Sequence, residues 1–193
     1  MQEIVRLKKK RTRFSVGGSV GHLENILGNR LPADDEVYKL ISNRHFSAIS
    51  LILYVAQRTT IRELHVSTFG IGRKEIILLE GLRQQGKLQR ASFVAGRIMA
   101  NAADKRERDR LLRQICEQNE WCYVCIDNHA KLVLLDTDDG KFIIETSSNL
   151  NENPSIEHFS FERSEDGYDF YREWFESWLN QRQSDGENRK DCC

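Results

Sequence analysis

The stretch from Ile126 to Glu157 most limits what this chain can form. Asp138-Asp139-Gly140 is a tight-turn signal between two apolar runs, and it predicts a β-hairpin whose second strand, Lys141 to Thr146, pairs antiparallel to the first. Side chains alternate along a strand. The first strand is therefore expected to carry His129, Lys131 and Val133 on one face, with Ala130, Leu132 and Leu134 on the other. A base or nucleophile and a cation then point the same way, and Ser147 and Asn149 emerge beside them where the second strand ends.

Elements on either side of the hairpin alternate between strand and helix patterns. Leu31-Pro32-Ala33-Asp34-Asp35 reads as a helix start, with Asp34 or Asp35 as cap and Val37, Leu40 and Ile41 as an apolar stripe. Phe46 to Ala56 is nearly continuous apolar sequence and is read as a buried helix, because Ile61 to Phe69 is the better strand. Arg73 to Gln85 reads as a helix closed by Gly86, Leu88 to Ala95 as a strand, Asp104 to Asn119 as a charged amphipathic helix and Glu120 to Ile126 as a strand. After the hairpin come a strand from Ile156 to Phe161 and a helix from Asp169 to Asn180. In that helix Tyr171, Trp174, Phe175 and Trp178 recur at i, i+3, i+4 and i+7, the spacing of a stripe packed on a sheet. The expected fold is α/β, a mixed β-sheet flanked by helices on both faces.

Three regions follow: a basic, flexible arm over 1–30, one folded domain over 31–180 and a polar tail over 181–193. With Lys+Arg and Asp+Glu equal at 29 each, nothing global points to a polyanionic partner. The basic residues Lys8, Lys9, Lys10, Arg11 and Arg13 are nevertheless bunched in the arm, and read either as a solvated tail or as weak contacts to nucleic-acid phosphates. No run approaches the roughly 20 apolar residues that a membrane-crossing helix needs, and no secretory signal is recognisable at the start. A cytoplasmic location is the expectation. Five cysteines without framework spacing agree with it. Cys122 and Cys125 with His129 invite a zinc reading, but thiols three apart on a strand diverge, so core thiols and no metal site are expected.

His129-x-Lys131-x4-Asp136, a hairpin, Ser147-x-Asn149 and a downstream acid, Glu157, resemble the signature of the phospholipase D superfamily. In that family HxKx4D is followed by Gly-Ser-x-Asn; here Thr146 stands where Gly is usual. If the register is set by Glu145-Thr146 instead, Ser148 is the serine and Asn151 competes with Asn149. The resemblance covers about residues 35 to 180 and implies a phospholipase D-like single domain.

It also implies a chemistry. Neutral imidazole attacks phosphorus to form a phosphohistidine, Lys131 neutralises the nonbridging oxygens, Ser147 and Asn149 donate hydrogen bonds to them, and Glu157 orients the imidazole. Asp136 is a supporting residue. A second His is needed opposite the first to protonate the leaving group, and His22, His45, His65 and His158 each lack a Lys two positions on. The resemblance therefore implies a homodimer with two His129 residues in one shared site. The expected function is a phosphodiesterase, most simply a nuclease acting on DNA, with no metal and no cofactor. The alternative is a noncatalytic nucleic-acid-binding or assembly module of the same fold.

Overall fold

The computed structural model describes residues 11–17, 21–34, 36–43, 46–102, 105–151 and 155–186. The predicted hairpin is its centre. Strands β6 (Leu132–Thr137) and β7 (Gly140–Thr146) pair antiparallel from Leu132 opposite Glu145 to Thr137 opposite Gly140. Gly140 takes φ 132°, and a Cβ there would lie 2.6 Å from Nε of Arg163, so glycine is required twice over. The Thr137 hydroxyl donates to the Gly140 carbonyl at 2.8 Å and accepts from the Asp139 N–H at 3.2 Å, which closes the turn.

Six further strands complete the sheet: β1 (Arg11–Gly17), β2 (Glu36–Asn43), β3 (Ile61–Thr68), β4 (Leu88–Gly96), β5 (Cys122–Ile126) and β8 (Ile156–Arg163). Their order is β1-β2-β8-β7-β6-β3-β4-β5, and the sheet is mixed. The pairs β1–β2, β3–β4 and β4–β5 are parallel; those among β2, β8, β7, β6 and β3 are antiparallel.

Helices cover both faces. On one side lie α1 (Gly21–Leu27), α2 (Ala48–Ala56), α3 (Arg73–Gln84) and α5 (Arg106–Asn119), whose Leu23, Ile52, Ile76 and Leu112 join Leu64, Phe93, Val133 and Phe161 of the strands in the main core. A short turn of helix, α4 (Ile98–Asn101), precedes α5. On the other side α6 (Glu165–Gly186) lays Tyr168 and Phe175 on Val94, Leu132, Leu134 and Ile143. Leu132 and Leu134 face one core and Val133 the other, as alternation requires. Among the described residues no helix is long and apolar enough to cross a membrane.

Three expectations need correction. The segment after Asp34 is not a helix but strand β2. Tyr38, Leu40 and Ser42 turn inward while Lys39, Ile41 and Asn43 face out, because β1 and β8 lie on either side and take up the backbone hydrogen bonds. The basic arm is partly built into the fold: 11–17 form edge strand β1 and 21–27 form α1. Residues 1–10, with Lys8, Lys9 and Lys10, lie outside the described residues, as do 187–193 of the tail. The tail's first residues continue α6 to Gly186.

Glu36 shows why Arg11 and Arg13 are held near the sheet. Its carboxylate is 1% exposed, accepts from both terminal nitrogens of Arg30 at 2.6 and 2.8 Å, and lies 3.0 Å from Arg13 and 3.7 Å from Arg11. The Arg30 guanidinium and the Ala33 N–H hold this carboxyl at about 2 against the opposing effect of burial.

Candidate active site

Parallel strands β3, β4 and β5 all end at the rim where β6 begins, and the loops at this rim carry the predicted residues. His129 and Lys131 are not on the hairpin strand, which corrects the sequence reading: β6 starts at Leu132, and both residues sit in the loop between β5 and β6. The two still meet. The Lys131 ammonium donates to the His129 carbonyl at 2.8 Å and lies 3.2 Å from Nδ1 of the ring. Burial lowers the Lys131 pKa below the ordinary lysine range, with the Glu157 carboxylate acting the other way.

The end of β7 supplies the next residues. The Thr146 N–H donates to the Lys131 carbonyl at 3.3 Å, which brings the Ser147 loop against the His129 loop. The Ser147 hydroxyl donates to Oε2 of Glu157 and accepts from the His158 N–H at 3.1 Å. Glu157 reaches this point because β8 runs antiparallel to β7, with Thr146 opposite Phe159. Here Glu157 is a partner of Ser147 and lies within electrostatic range of Lys131.

Ser148, the alternative serine, is 2% exposed and donates to the carbonyl of Asn149 at 2.9 Å. Ser147 is therefore the serine beside Glu157. Among the described residues Asn149 and Asn151 both bury Oδ1 without a hydrogen-bond partner, and Leu150 between them is tied to the end of β3 through its N–H to the Thr68 hydroxyl at 3.0 Å. Asp136 stands apart. Five residues along from Lys131 on β6, it pairs with Arg62 at 2.5 Å across β3, so it braces the sheet and does not line the rim.

Other side chains stand at the same rim. The Phe69 ring, just past β3, lies 5.0 Å from the His129 ring, and the Lys105 ammonium sits 5.8 Å from the Phe69 centroid. Arg97, after β4, pairs with Asp127 at 3.5 Å. Asn128, beside His129, is buried and donates to the Val94 carbonyl at 2.8 Å. The cysteines diverge as their spacing predicts: Cys122 is exposed, while buried Cys125 donates to the Gly96 carbonyl at 3.4 Å. Among the described residues no three His, Cys, Asp or Glu side chains are grouped to hold a metal.

No protein-family model and no curated protein matches the chain. Solved structures do. Nuc from Salmonella typhimurium, named as a phospholipase D family member, superimposes with a TM-score of 0.57 over 75% of this chain and 94% of its own, at 12% identity. Polyphosphate kinase from Porphyromonas gingivalis gives 0.54 over 72% of this chain and 25% of its own, at 16% identity. Phosphatidylserine synthase from Haemophilus influenzae gives 0.52 over 75% of this chain and 38% of its own, at 18% identity. The chain thus spans well under half the length of the last two proteins. Sheet order, flanking helices and the match to Nuc establish a phospholipase D-like fold.

Proposed function

We propose that this protein is a metal-independent phosphodiesterase, a nuclease that cleaves nucleic acid through a phosphohistidine on His129 and works as a homodimer. The observation that carries the reading is the gathering of His129, Lys131, Ser147 and Glu157 at one rim of a phospholipase D-like fold. An imidazole nitrogen of His129 forms the bond to phosphorus as the P–O bond to the leaving alcohol breaks. The alcohol oxygen takes its proton from the opposite side, from His129 of a second copy. Water then attacks the phosphohistidine, gives its proton back to that second imidazole, and leaves a phosphate monoester with both rings restored. Lys131 neutralises the nonbridging oxygens while charge is greatest on them. Lys105, held over the Phe69 ring beside His129, adds a cation next to the reacting phosphate, which fits a polyanionic chain better than an isolated small ester.

Plasmid nicking in excess chelator tests this. Wild type is expected to nick, His129→Ala to lose the activity while its unfolding curve is unchanged, and the solution mass to be that of a dimer. A noncatalytic nucleic-acid-binding module is the second reading, favoured by Thr146 in place of glycine and by the mutual engagement of Ser147 and Glu157. Binding without cleavage in the wild type favours that reading, and unchanged nicking by His129→Ala overturns the assignment of His129 as the nucleophile.

A further inference from the structure

His129 is exposed, yet the backbone on both sides of it is gripped from inside the molecule. Asn128, 9% exposed, donates from Nδ2 to the Val94 carbonyl at 2.8 Å and the Ser67 hydroxyl at 3.0 Å, and the same nitrogen lies 3.3 Å from the Thr68 carbonyl. Its Oδ1 accepts from the Ala130 N–H at 3.0 Å. Ser67 completes the grip by donating to the Ala130 carbonyl at 3.1 Å. Both polar backbone atoms of Ala130 are thereby held, and the carboxamide that holds one of them also bridges the ends of β3 and β4. His129 is the residue spanned between the two anchors.

Gly96 lets the three segments close on one another. A Cβ at that position would lie 2.7 Å from the Phe69 carbonyl oxygen and 2.9 Å from that of Asn128, so any side chain would push the two loops apart. The Phe69 ring meets the His129 ring at 5.0 Å and 53°.

We propose that Asn128 is a positioning residue for His129, acting with Ser67 through Ala130 to fix where the imidazole stands in front of the phosphorus. The proposal rests on the reading of His129 as the nucleophile. An attacking nitrogen must be placed to within a fraction of an ångström, and a polar loop on the surface does not supply that by itself. Two buried side chains from β3 and the β5–β6 loop do.

Full-length wild type, Asn128→Ala, Ser67→Ala and the double variant are compared on a chromogenic phosphodiester in excess chelator. Alongside, unfolding midpoints and the ring 1H–13C signal of His129, assigned by its absence in His129→Ala, are recorded. Asn128→Ala is expected to lower kcat by about ten- to a hundredfold with KM within about twofold, and to broaden or split the His129 signal. Ser67→Ala is expected to shift both in the same direction by less, and the double variant to fall short of the product of the single losses, because the two side chains hold the same residue. Should Asn128→Ala not fold, Ser67→Ala decides the matter by the same readouts.

An unchanged kcat and an unchanged ring signal overturn the proposal, as does a loss of activity that only tracks the folded fraction. If the wild type cleaves nothing, the proposed function fails while the His129 signal still judges the grip: a broadened signal in the variants supports it, and a sharp, unmoved one overturns it.

Discussion

The ammonium nitrogen of Lys131 lies 3.2 Å from Nδ1 of His129 and 2.8 Å from the carbonyl oxygen of the same residue. A charged ammonium only donates, so a neutral ring in this arrangement carries its proton on Nε2 and offers its lone pair on Nδ1 to Lys131. That lone pair is the one a nucleophile needs. On the proposed mechanism, an arriving phosphate draws the ammonium away before the ring reacts. In 15N spectra of the neutral ring, His129 in the free protein is expected as the Nε2–H tautomer, and tungstate, an oxyanion mimic, is expected to move its Nδ1 resonance. An Nδ1–H ring in the free protein contradicts this, as does a tungstate response that persists in Lys131→Met.

Burial lowers the pKa of Lys131 and Glu157 opposes that lowering, which gives two linked expectations for the pH profile. On the proposed mechanism the cationic form binds the phosphate, so activity is retained below the pKa of Lys131 and falls as pH rises through it. The alkaline limb is therefore expected below the ordinary lysine range. In Glu157→Gln the opposing carboxylate is gone and the limb moves lower still. A limb that moves upward in this variant contradicts the assignment.

The hairpin was legible because an Asp-Asp-Gly turn between apolar runs has few other solutions, whereas β2 was not. Val37, Leu40 and Ile41 satisfy helical spacing as well as half of a strand pattern, and the choice was made by β1 and β8, which lie elsewhere in the sequence. The pairing of His129 with Lys131 was anticipated from strand alternation, but a loop brings them together. What shapes that loop, Ser67, Gly96 and Asn128, is scattered over three segments and leaves no local pattern to read. Asp136 shares the motif's spacing yet faces Arg62, because five residues of extended chain carry it away from the rim.

Stability in acid is expected to report on Glu36. Its carboxyl, held at about 2, is depressed from the usual value of about 4.3, so its contribution is complete above that value and is lost as pH falls towards about 2. Glu36→Gln should flatten this part of the stability curve. At neutral pH the variant should be less stable by about 1–3 kcal/mol, the scale of charged hydrogen bonds lost at Arg30. Urea unfolding between pH 2 and 7 measures both, and an acid slope identical to wild type contradicts the assignment.

The aromatic residues of α6 divide sharply by burial. Phe175 is fully buried against Val94 and Leu132, while Phe170 is 68% exposed. Phe175→Ala is expected to destabilise by about 3–5 kcal/mol and Phe170→Ala by no more than about 0.5 kcal/mol. Denaturant midpoints at constant m-value decide this, and a large loss for Phe170→Ala would place that ring in contacts made outside the single chain.

The central claim is a covalent bond between an imidazole nitrogen of His129 and phosphorus. Rapid quenching in alkali of a reaction between the protein and a phosphodiester, followed by peptide mass spectrometry, reads that bond directly, since a phosphoramidate survives base and is lost in mild acid. The account predicts a peptide spanning His129 that carries phosphorus with the substrate's retained ester group, formed in excess chelator and absent from His129→Ala. Cleavage that proceeds with no adduct on His129, or an adduct on another residue that persists in His129→Ala, would contradict it.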